Sequence, residues 1–166
     1  MSELLNKESV KRVGESLKKF DSNLKIIVLD TTARTAKDAA NSLECELGAI
    51  IKSLVFRIEN DFLICLVSGD KRCSLNKLKK FLNKKDISMA NAEEVKENTG
   101  FSIGGVAPTG HIKKLKIIVD KSLNRFKHVY GAAGHPDCVF KITYPELIKL
   151  TNGLEQEITE WENLKQ

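Results

Sequence analysis

Residues 100–111 have a composition that suits a tight loop lying close to a ligand. The segment reads GFSIGGVAPTGH and holds four glycines and one proline among its twelve residues. Glycine adopts backbone conformations closed to other residues and allows close approach to the main chain. Backbone N–H groups exposed in such a loop can bind a carbonyl oxygen or an anion. A plain turn would have a similar composition, and neither the dinucleotide-binding GxGxxG motif nor the phosphate-binding P-loop is present.

Lys52 is a second candidate, because it interrupts the apolar segment AIIKSLVFRI, which is typical of a buried strand. Alternate residues of a strand share a face, so the face that carries Lys52 also carries Ile50, Leu54, Phe56 and Ile58. An ammonium group among core-facing side chains is costly unless it reaches a partner or a wet cavity. The pattern therefore indicates either a lysine directed into a pocket or one near the strand end that reaches water.

Histidine and cysteine side chains offer a further possibility. His135 and Cys138 lie in GAAGHPDC, which predicts a second turn of small residues. A thiol nucleophile paired with a histidine is one interpretation, although no third, orienting residue is evident. The other interpretation is that His135 and His111 are exposed loop histidines. The cysteines include no CxxC pair, so we expect no metal site and no cofactor.

Helices and strands are interspersed along the chain and must position these residues. Helical periodicity or capping signals predict helices over residues 8–20, 35–48, 74–85, 91–100 and 144–151. Apolar runs predict strands over residues 24–30, 49–58, 62–68, 115–120, 128–131 and 138–143. The second and third runs are separated only by END, which predicts a hairpin.

Several residues are expected to begin or end these elements. Thr35, Ser74 and Asn91 are predicted helix N-caps, and Gly48 and Gly100 are predicted to end helices. The polar tail, residues 152–166, has Trp161 as its one large apolar anchor. One domain over residues 1–166, of the α+β type with a mixed sheet, fits this order.

Composition excludes some classes of protein. The chain has 166 residues, of which 42% are hydrophobic, and no apolar run is long enough to span a membrane. The N-terminal sequence lacks the apolar core of a signal peptide, so a cytoplasmic location is expected. A net charge of +5 permits an anionic partner such as RNA. The lysine-rich segments KLKKFLNKK and HIKKLK could contact phosphates or form solvated surfaces.

Four segments together resemble the YbaK-type family of prolyl-tRNA-synthetase-associated editing domains. They are IIKSLVF, FLICLVSGDKRCSLNKL, MANAEEVKENTGFSIGGVAPTGH and VYGAAGHPDCVFKITYPELIKLT, in the family's order. The resemblance extends from about Thr35 to Thr151. It implies an α/β fold of the α+β type, with a mixed, curved, partly barrel-like sheet surrounded by helices.

The resemblance also implies roles for particular residues. Lys52 matches the family's essential lysine, and Gly104 and Pro108 match the ends of its G-x-x-x-P loop. The residues between them, Gly105, Val106 and Ala107, would share in substrate binding. His135 with Pro136 corresponds to a histidine–proline pair that some members have near the amino-acid pocket. His111 belongs to the loop motif without a separate chemical role.

The family hydrolyses the ester between a wrong amino acid and the 3′ end of tRNA, with proline tRNA as the default. The implied partners are therefore an aminoacyl-tRNA and, in addition, an aminoacyl-tRNA synthetase on which the chain could dock. No protein nucleophile is required, because the aminoacyl ester is already activated. A non-catalytic module of the same fold that binds aminoacyl-tRNA or a synthetase is the alternative. The sequence does not indicate which small amino acid is removed.

Overall fold

Five helices and ten strands make up the part of the chain that the structure describes. This computed structural model describes residues 3–30 and 35–162. The helices are α1 Glu8–Phe20, α2 Ala36–Leu43, α3 Leu75–Leu82, α4 Ala92–Thr99 and α5 Tyr144–Thr151. The strands are β1 Ile26–Val28, β2 Ile51–Ile58, β3 Asp61–Ser68, β4 Lys71–Cys73, β5 Ile87–Met89, β6 Lys116–Asp120, β7 Val129–His135, β8 Cys138–Ile142, β9 Leu154–Gln156 and β10 Thr159–Trp161. No helix within the described ranges is long and apolar enough to cross a bilayer.

Side-chain caps mark the beginning of α2, α3 and α4, as the sequence predicts. The side chains of Thr35, Ser74 and Asn91 each accept a hydrogen bond from the third residue of the helix that follows. Such a bond satisfies one of the N–H groups left unpaired in the first turn. Gly100 ends α4 with a φ of 82°, so this prediction is also confirmed.

The predicted end of α2 at Gly48 is wrong. The helix ends at Leu43, and Glu44 adopts the left-handed conformation that closes it. A short 3-10 turn, Leu47–Ala49, then leads into β2. Gly48 is needed there for close packing, because a Cβ atom would lie 2.6 Å from the ring of Phe126. A glycine that ends a helix and a glycine that allows close packing therefore cannot be distinguished in the sequence.

The largest sheet is mixed and has the strand order β5-β2-β3-β6-β9. Its β2 and β3 form the predicted antiparallel hairpin, while β3–β6 and β6–β9 are parallel pairs. A second sheet has the order β1-β8-β7, and β10 pairs with β4 in a third. The predicted α+β fold with a mixed sheet is therefore confirmed, and none of these three sheets closes on itself.

Both faces of the β2–β3 hairpin are buried. Ile51, Val55 and Ile64 belong to a core that includes α1 residues such as Val13 and Leu17. On the opposite face, Phe56, Leu63 and Cys65 pack with Leu78 of α3. Burial of both faces explains why β3 is almost continuously apolar rather than alternating. It also makes the hairpin a rigid base for any residue that it carries.

A buried carboxylate attaches the C-terminal segment, residues 158–162, to the large sheet. Asp120 ends β6 and is fully buried. Its Oδ1 accepts from the Ile158 N–H at 2.7 Å, and its Oδ2 accepts from the Thr159 hydroxyl at 2.8 Å and the Ser122 N–H at 3.1 Å. Polar donors satisfy both oxygens, as a carboxylate withdrawn from water requires.

The predicted anchor of the tail is wrong. Trp161 is 62% exposed, whereas Ile158 is fully buried. The indole instead lies beneath the Lys71 ammonium, 3.8 Å from the ring centroid. The pairing of β10 with β4 turns Trp161 outward. The prediction of a buried anchor relied on the size of the residue and could not take this pairing into account.

Replacing Asp120 with alanine is expected to lower the free energy of unfolding by about 3 kcal/mol, because buried donors then lose a charged acceptor. Urea denaturation measures the change. Asp61→Ala is the control, since Asp61 is exposed and accepts a bond from the adjacent Phe62 N–H. Equal stability of the two variants would show that Asp120 does not hold the segment.

Candidate active site

A cavity of about 260 Å³ lies between α2, the first half of β2, the glycine loop (residues 100–111) and the β7–β8 hairpin. Its wall is mostly apolar and includes Ala39, Ile50, Leu54, Tyr130 and Val139. Lys52 contributes the one ammonium group among the described residues that line it. A concave, mostly apolar site with few polar groups is typical of a small-ligand pocket.

Lys52 is the second residue of β2, and its side chain is 27% exposed. The ammonium donates a hydrogen bond to the backbone carbonyl of Lys71 in β4. It also lies 3.6 Å from Oε2 of Glu162, just beyond β10. Both interpretations of the sequence are therefore partly met, since Lys52 lines a pocket and its charge is partnered near the strand end.

The glycine loop presents only part of itself to the cavity. Gly104 and Val106 line the cavity, and Gly104 has a φ of 95°, a conformation that favours glycine. Gly105, Ala107 and Pro108 are buried on the other side of the loop. The structure thus brings Lys52, Gly104 and Val106 together, and it places the other three loop residues behind them as support.

Close approach of backbones explains the second glycine of the loop. A Cβ atom on Gly105 would lie 3.0 Å from the His135 nitrogen and 3.1 Å from the Gly134 carbonyl. Pro108 packs in a similar way against Gly131, where a Cβ atom would lie 3.0 Å from the proline ring. The loop is therefore fitted against β7, which forms the far wall of the cavity.

The side chains of Arg12 and His111 hold the glycine loop through its backbone carbonyls. Arg12 of α1 donates to the Gly100 carbonyl at 2.9 Å and to the Gly110 carbonyl at 3.0 Å. His111 donates from Nε2 to the Ala107 carbonyl at 2.7 Å. Burial lowers the pKa of His111; the bond to Ala107 opposes this shift and the charge of Arg12 adds to it. A neutral His111 therefore acts as a structural clamp.

The turn predicted within residues 131–138 is present, and His135 lies at its edge. His135 is the last residue of β7, and Pro136 and Asp137 alone form the turn. Its Nδ1 accepts a hydrogen bond from the Asp137 N–H at 3.1 Å. Pro136, rather than His135, is among the described residues that line the cavity. A role for His135 in substrate binding stays a prediction.

The thiol of Cys138 is poorly placed to act as a nucleophile. Cys138 is fully buried within the main core. Burial raises the pKa of its thiol, and the nearby charge of Asp137 adds to the effect. A thiol must ionise and reach its substrate to attack it. The interpretation of His135 and Cys138 as a catalytic pair is therefore disfavoured.

Some residues that line the cavity were missed in the sequence. Thr35, Ala36 and Ala39 at the start of α2 form one wall, and Tyr130 of β7 forms another. Small helical residues have no side-chain group that indicates a binding role. The periodicity of the sequence therefore predicts the helix, but it does not predict that the helix lines a pocket. Ile103 also lines the cavity, beside Gly104, and is 62% exposed. An apolar residue within such a glycine-rich loop was the one sequence signal for these missed lining residues.

No cluster of three or more metal-ligating side chains occurs in the described residues.

Residues 30–150 match the family described as the aminoacyl-tRNA editing domain. The chain belongs to this editing-domain family. The resemblance predicted from four sequence segments is therefore confirmed. Among solved structures, a candidate trans-editing enzyme for prolyl-tRNA synthetase is 37% identical, with a TM-score of 0.88 over 93% of this chain and 98% of that one.

Proteins similar in sequence fall into two groups. YwhH of Bacillus subtilis (strain 168), a protein of unassigned function, is 32% identical over 140 residues, 84% of this chain and 88% of YwhH. The proline–tRNA ligase of Thermosipho africanus is 35% identical over 101 residues, 61% of this chain but 18% of the ligase. The similarity to the ligase thus concerns one segment of a much longer enzyme.

Gly105→Ala is expected to destabilise the editing domain by roughly 1–3 kcal/mol, because the added methyl group meets backbone rather than a movable side chain. Gly14→Ala is the matched control. Gly14 lies within helix α1, where alanine is favoured, and its added Cβ atom would lie 3.4 Å from the Ile26 side chain. Urea denaturation compares both variants with the original chain. Equal effects would mean that the loop does not depend on this close approach.

Acidification is expected to weaken the fold through His111. The folded editing domain binds a proton at His111 less readily than the unfolded chain, whose pKa is near 6.5. Stability is therefore complete above this value and falls as the pH drops below it. His111→Gln keeps an N–H donor but cannot titrate, so its unfolding free energy should fall less between about pH 7 and 5.5. Parallel pH profiles would contradict this role.

Proposed function

We propose that this protein is a trans-editing deacylase. It hydrolyses the ester between a small, wrongly attached amino acid and the 3′ end of tRNA, with proline tRNA as the default substrate. The proposal depends mainly on the position of Lys52, whose partly buried side chain lines the same apolar cavity as Gly104 and Val106. Membership of the editing-domain family gives the chemistry its context.

The reaction needs electrostatic stabilisation rather than a protein nucleophile. Water, or a group of the substrate itself, adds to the ester carbonyl carbon, and the bond to the ribose oxygen then breaks. Negative charge develops on the carbonyl oxygen in the transition state. The Lys52 ammonium stabilises that charge, and one well-placed donor of this kind contributes about 3 kcal/mol. The Gly104–Pro108 loop positions the ester, with the Gly104 and Val106 backbone nearest to it.

Selection by size follows from the shape of the cavity. A cavity of about 260 Å³ has room for a small side chain beside the ester. Its apolar residues, including Ala39 and Tyr130, offer close packing but few hydrogen bonds. A hydrophobic pocket distinguishes ligands mainly by volume, so a second sieve of this type removes amino acids that are small enough to enter.

The tRNA partner would be held by exposed lysines. Lys113, Lys114 and Lys116 are exposed, and none has an acidic partner within 4.0 Å among the described residues. The other lysine-rich segment is partly occupied, since Lys77 donates to the Thr159 carbonyl and Lys84 lies 3.4 Å from Glu59. Uncompensated lysines release counterions when they meet phosphates, so residues 113–116 are the better phosphate-binding candidates.

Lys52→Ala is expected to lower the hydrolysis rate at least about a hundredfold while the fold stays intact, because the main oxyanion donor is lost. The measurement is deacylation of tRNAs that carry alanine, cysteine, serine, threonine or proline. Lys18→Ala, which removes an exposed lysine of α1, is the matched control. The predicted result is cleavage of a small, non-cognate amino acid by the original chain and the control only.

Two outcomes would contradict this proposal in different ways. Unchanged hydrolysis by Lys52→Ala would remove the assigned role of the lysine. Binding of tRNA by the original chain with no cleavage of any ester would instead identify a non-catalytic module.

A further inference from the structure

We propose that Glu162 is a positioning residue that holds Lys52 in its reactive orientation. The inference rests on the proposed function, because it concerns how the same lysine meets the ester. Glu162 lies far from Lys52 in sequence, outside the residues matched to the editing-domain family, and directly after β10. The polar tail thereby becomes part of the site.

The route of the backbone delivers Glu162 to this position. β10 pairs with β4 in the register Thr159–Cys73, Glu160–Arg72 and Trp161–Lys71. The Glu162 N–H then donates to the Asp70 carbonyl at 3.2 Å and extends the pairing by one residue. Asp120 secures the beginning of the same segment. Glu162 is therefore fixed at both its backbone and, through Lys52, its side chain.

The number of hydrogen bonds that an ammonium group can donate explains how Glu162 could orient Lys52. Lys52 has three N–H donors and no acceptor. One donates to the Lys71 carbonyl, and a second faces Oε2 of Glu162 at 3.6 Å. The third has no acceptor among the described residues, and Lys52 is one of the residues that line the cavity. Two fixed acceptors would therefore leave this donor available to an ester carbonyl bound there.

One oxygen of the Glu162 carboxylate is withdrawn from water, although the side chain as a whole is 36% exposed. This oxygen, Oε2, is buried and has no hydrogen-bond partner among the described residues. Its compensation is the Lys52 charge. By contrast, Glu160, two residues earlier, binds Arg72 at 2.6 Å with both side chains largely exposed. Exposed pairs of that type contribute little, so Glu160 provides a control within the same strand.

The chemical consequence concerns orientation rather than binding. A lysine side chain has four rotatable bonds, and without Glu162 its ammonium would sample several positions. Displacement of a reacting group by even 1 Å can cost on the order of a hundredfold in rate. Loss of Glu162 should therefore affect the chemical step more than substrate affinity.

The experiment compares Glu162→Ala, Glu162→Gln and Glu160→Ala in steady-state and single-turnover deacylation. We expect Glu162→Ala to lower kcat by roughly tenfold to a hundredfold with little change in KM. Glu162→Gln should recover part of the loss, because its amide oxygen still accepts a hydrogen bond. Glu160→Ala should match the original chain. Urea denaturation confirms that the three variants are folded.

Unchanged or faster hydrolysis by Glu162→Ala would overturn the proposal, and faster hydrolysis would show that Glu162 covers the lysine instead. A second measurement does not depend on activity. Acylation of Lys52 by a small water-soluble anhydride, followed by mass spectrometry, should increase in Glu162→Ala and not in Glu160→Ala. If the original chain cleaves no ester, the proposed function fails, and equal labelling in all chains would then reject the contact as well.

Discussion

A single positive charge on a strand with two buried faces is the constraint on which this structure depends. The β2–β3 hairpin is packed on both sides, and Lys52 lies near its end with a side chain that is 27% exposed. Burial of a charge is costly unless polar partners replace its hydration. Those partners come from β4 and from Glu162, two segments far apart in the chain. Contacts with segments distant in sequence therefore partner the Lys52 charge.

The glycine loop solves a related problem with backbone groups. It lies closely against β7, while Gly104 and Val106 line the cavity. Arg12 and His111 occupy the loop's own carbonyls, which keeps its conformation defined without placing bulky side chains in the cavity. The proposed hydrolysis would depend on rigidity of this kind, because donors that stabilise transition-state charge must be held in place.

Local signals in the sequence predicted most of the architecture. Helix α1, the β2–β3 hairpin and the N-caps at Ser74 and Asn91 depend on residues close together in the chain, and each was predicted. The family resemblance, carried by Lys52 and the glycine loop, was also recognisable. Fold and family were therefore accessible without coordinates.

What could not be predicted depends on contacts between distant segments. Strands β4 and β10 have three residues each and exist because they pair with one another. The roles of Asp120 and Ile158 in anchoring the tail need a partner about forty residues away, for which a sequence pattern gives no signal. The small residues around His135 predicted a turn, but they did not reveal that Gly131 and Gly134 allow β7 to pack closely against distant segments.

The most direct measurement is a crystal structure with an adenosine that carries alanine through an amide at its 3′ position, an analogue that cannot be hydrolysed. We predict that the analogue's carbonyl oxygen lies within about 3.2 Å of the Lys52 Nζ. The alanine methyl group would then lie in the cavity near Ala39 and Tyr130. An analogue bound away from this cavity, with Lys52 contacting only Lys71 and Glu162, would contradict the central claim.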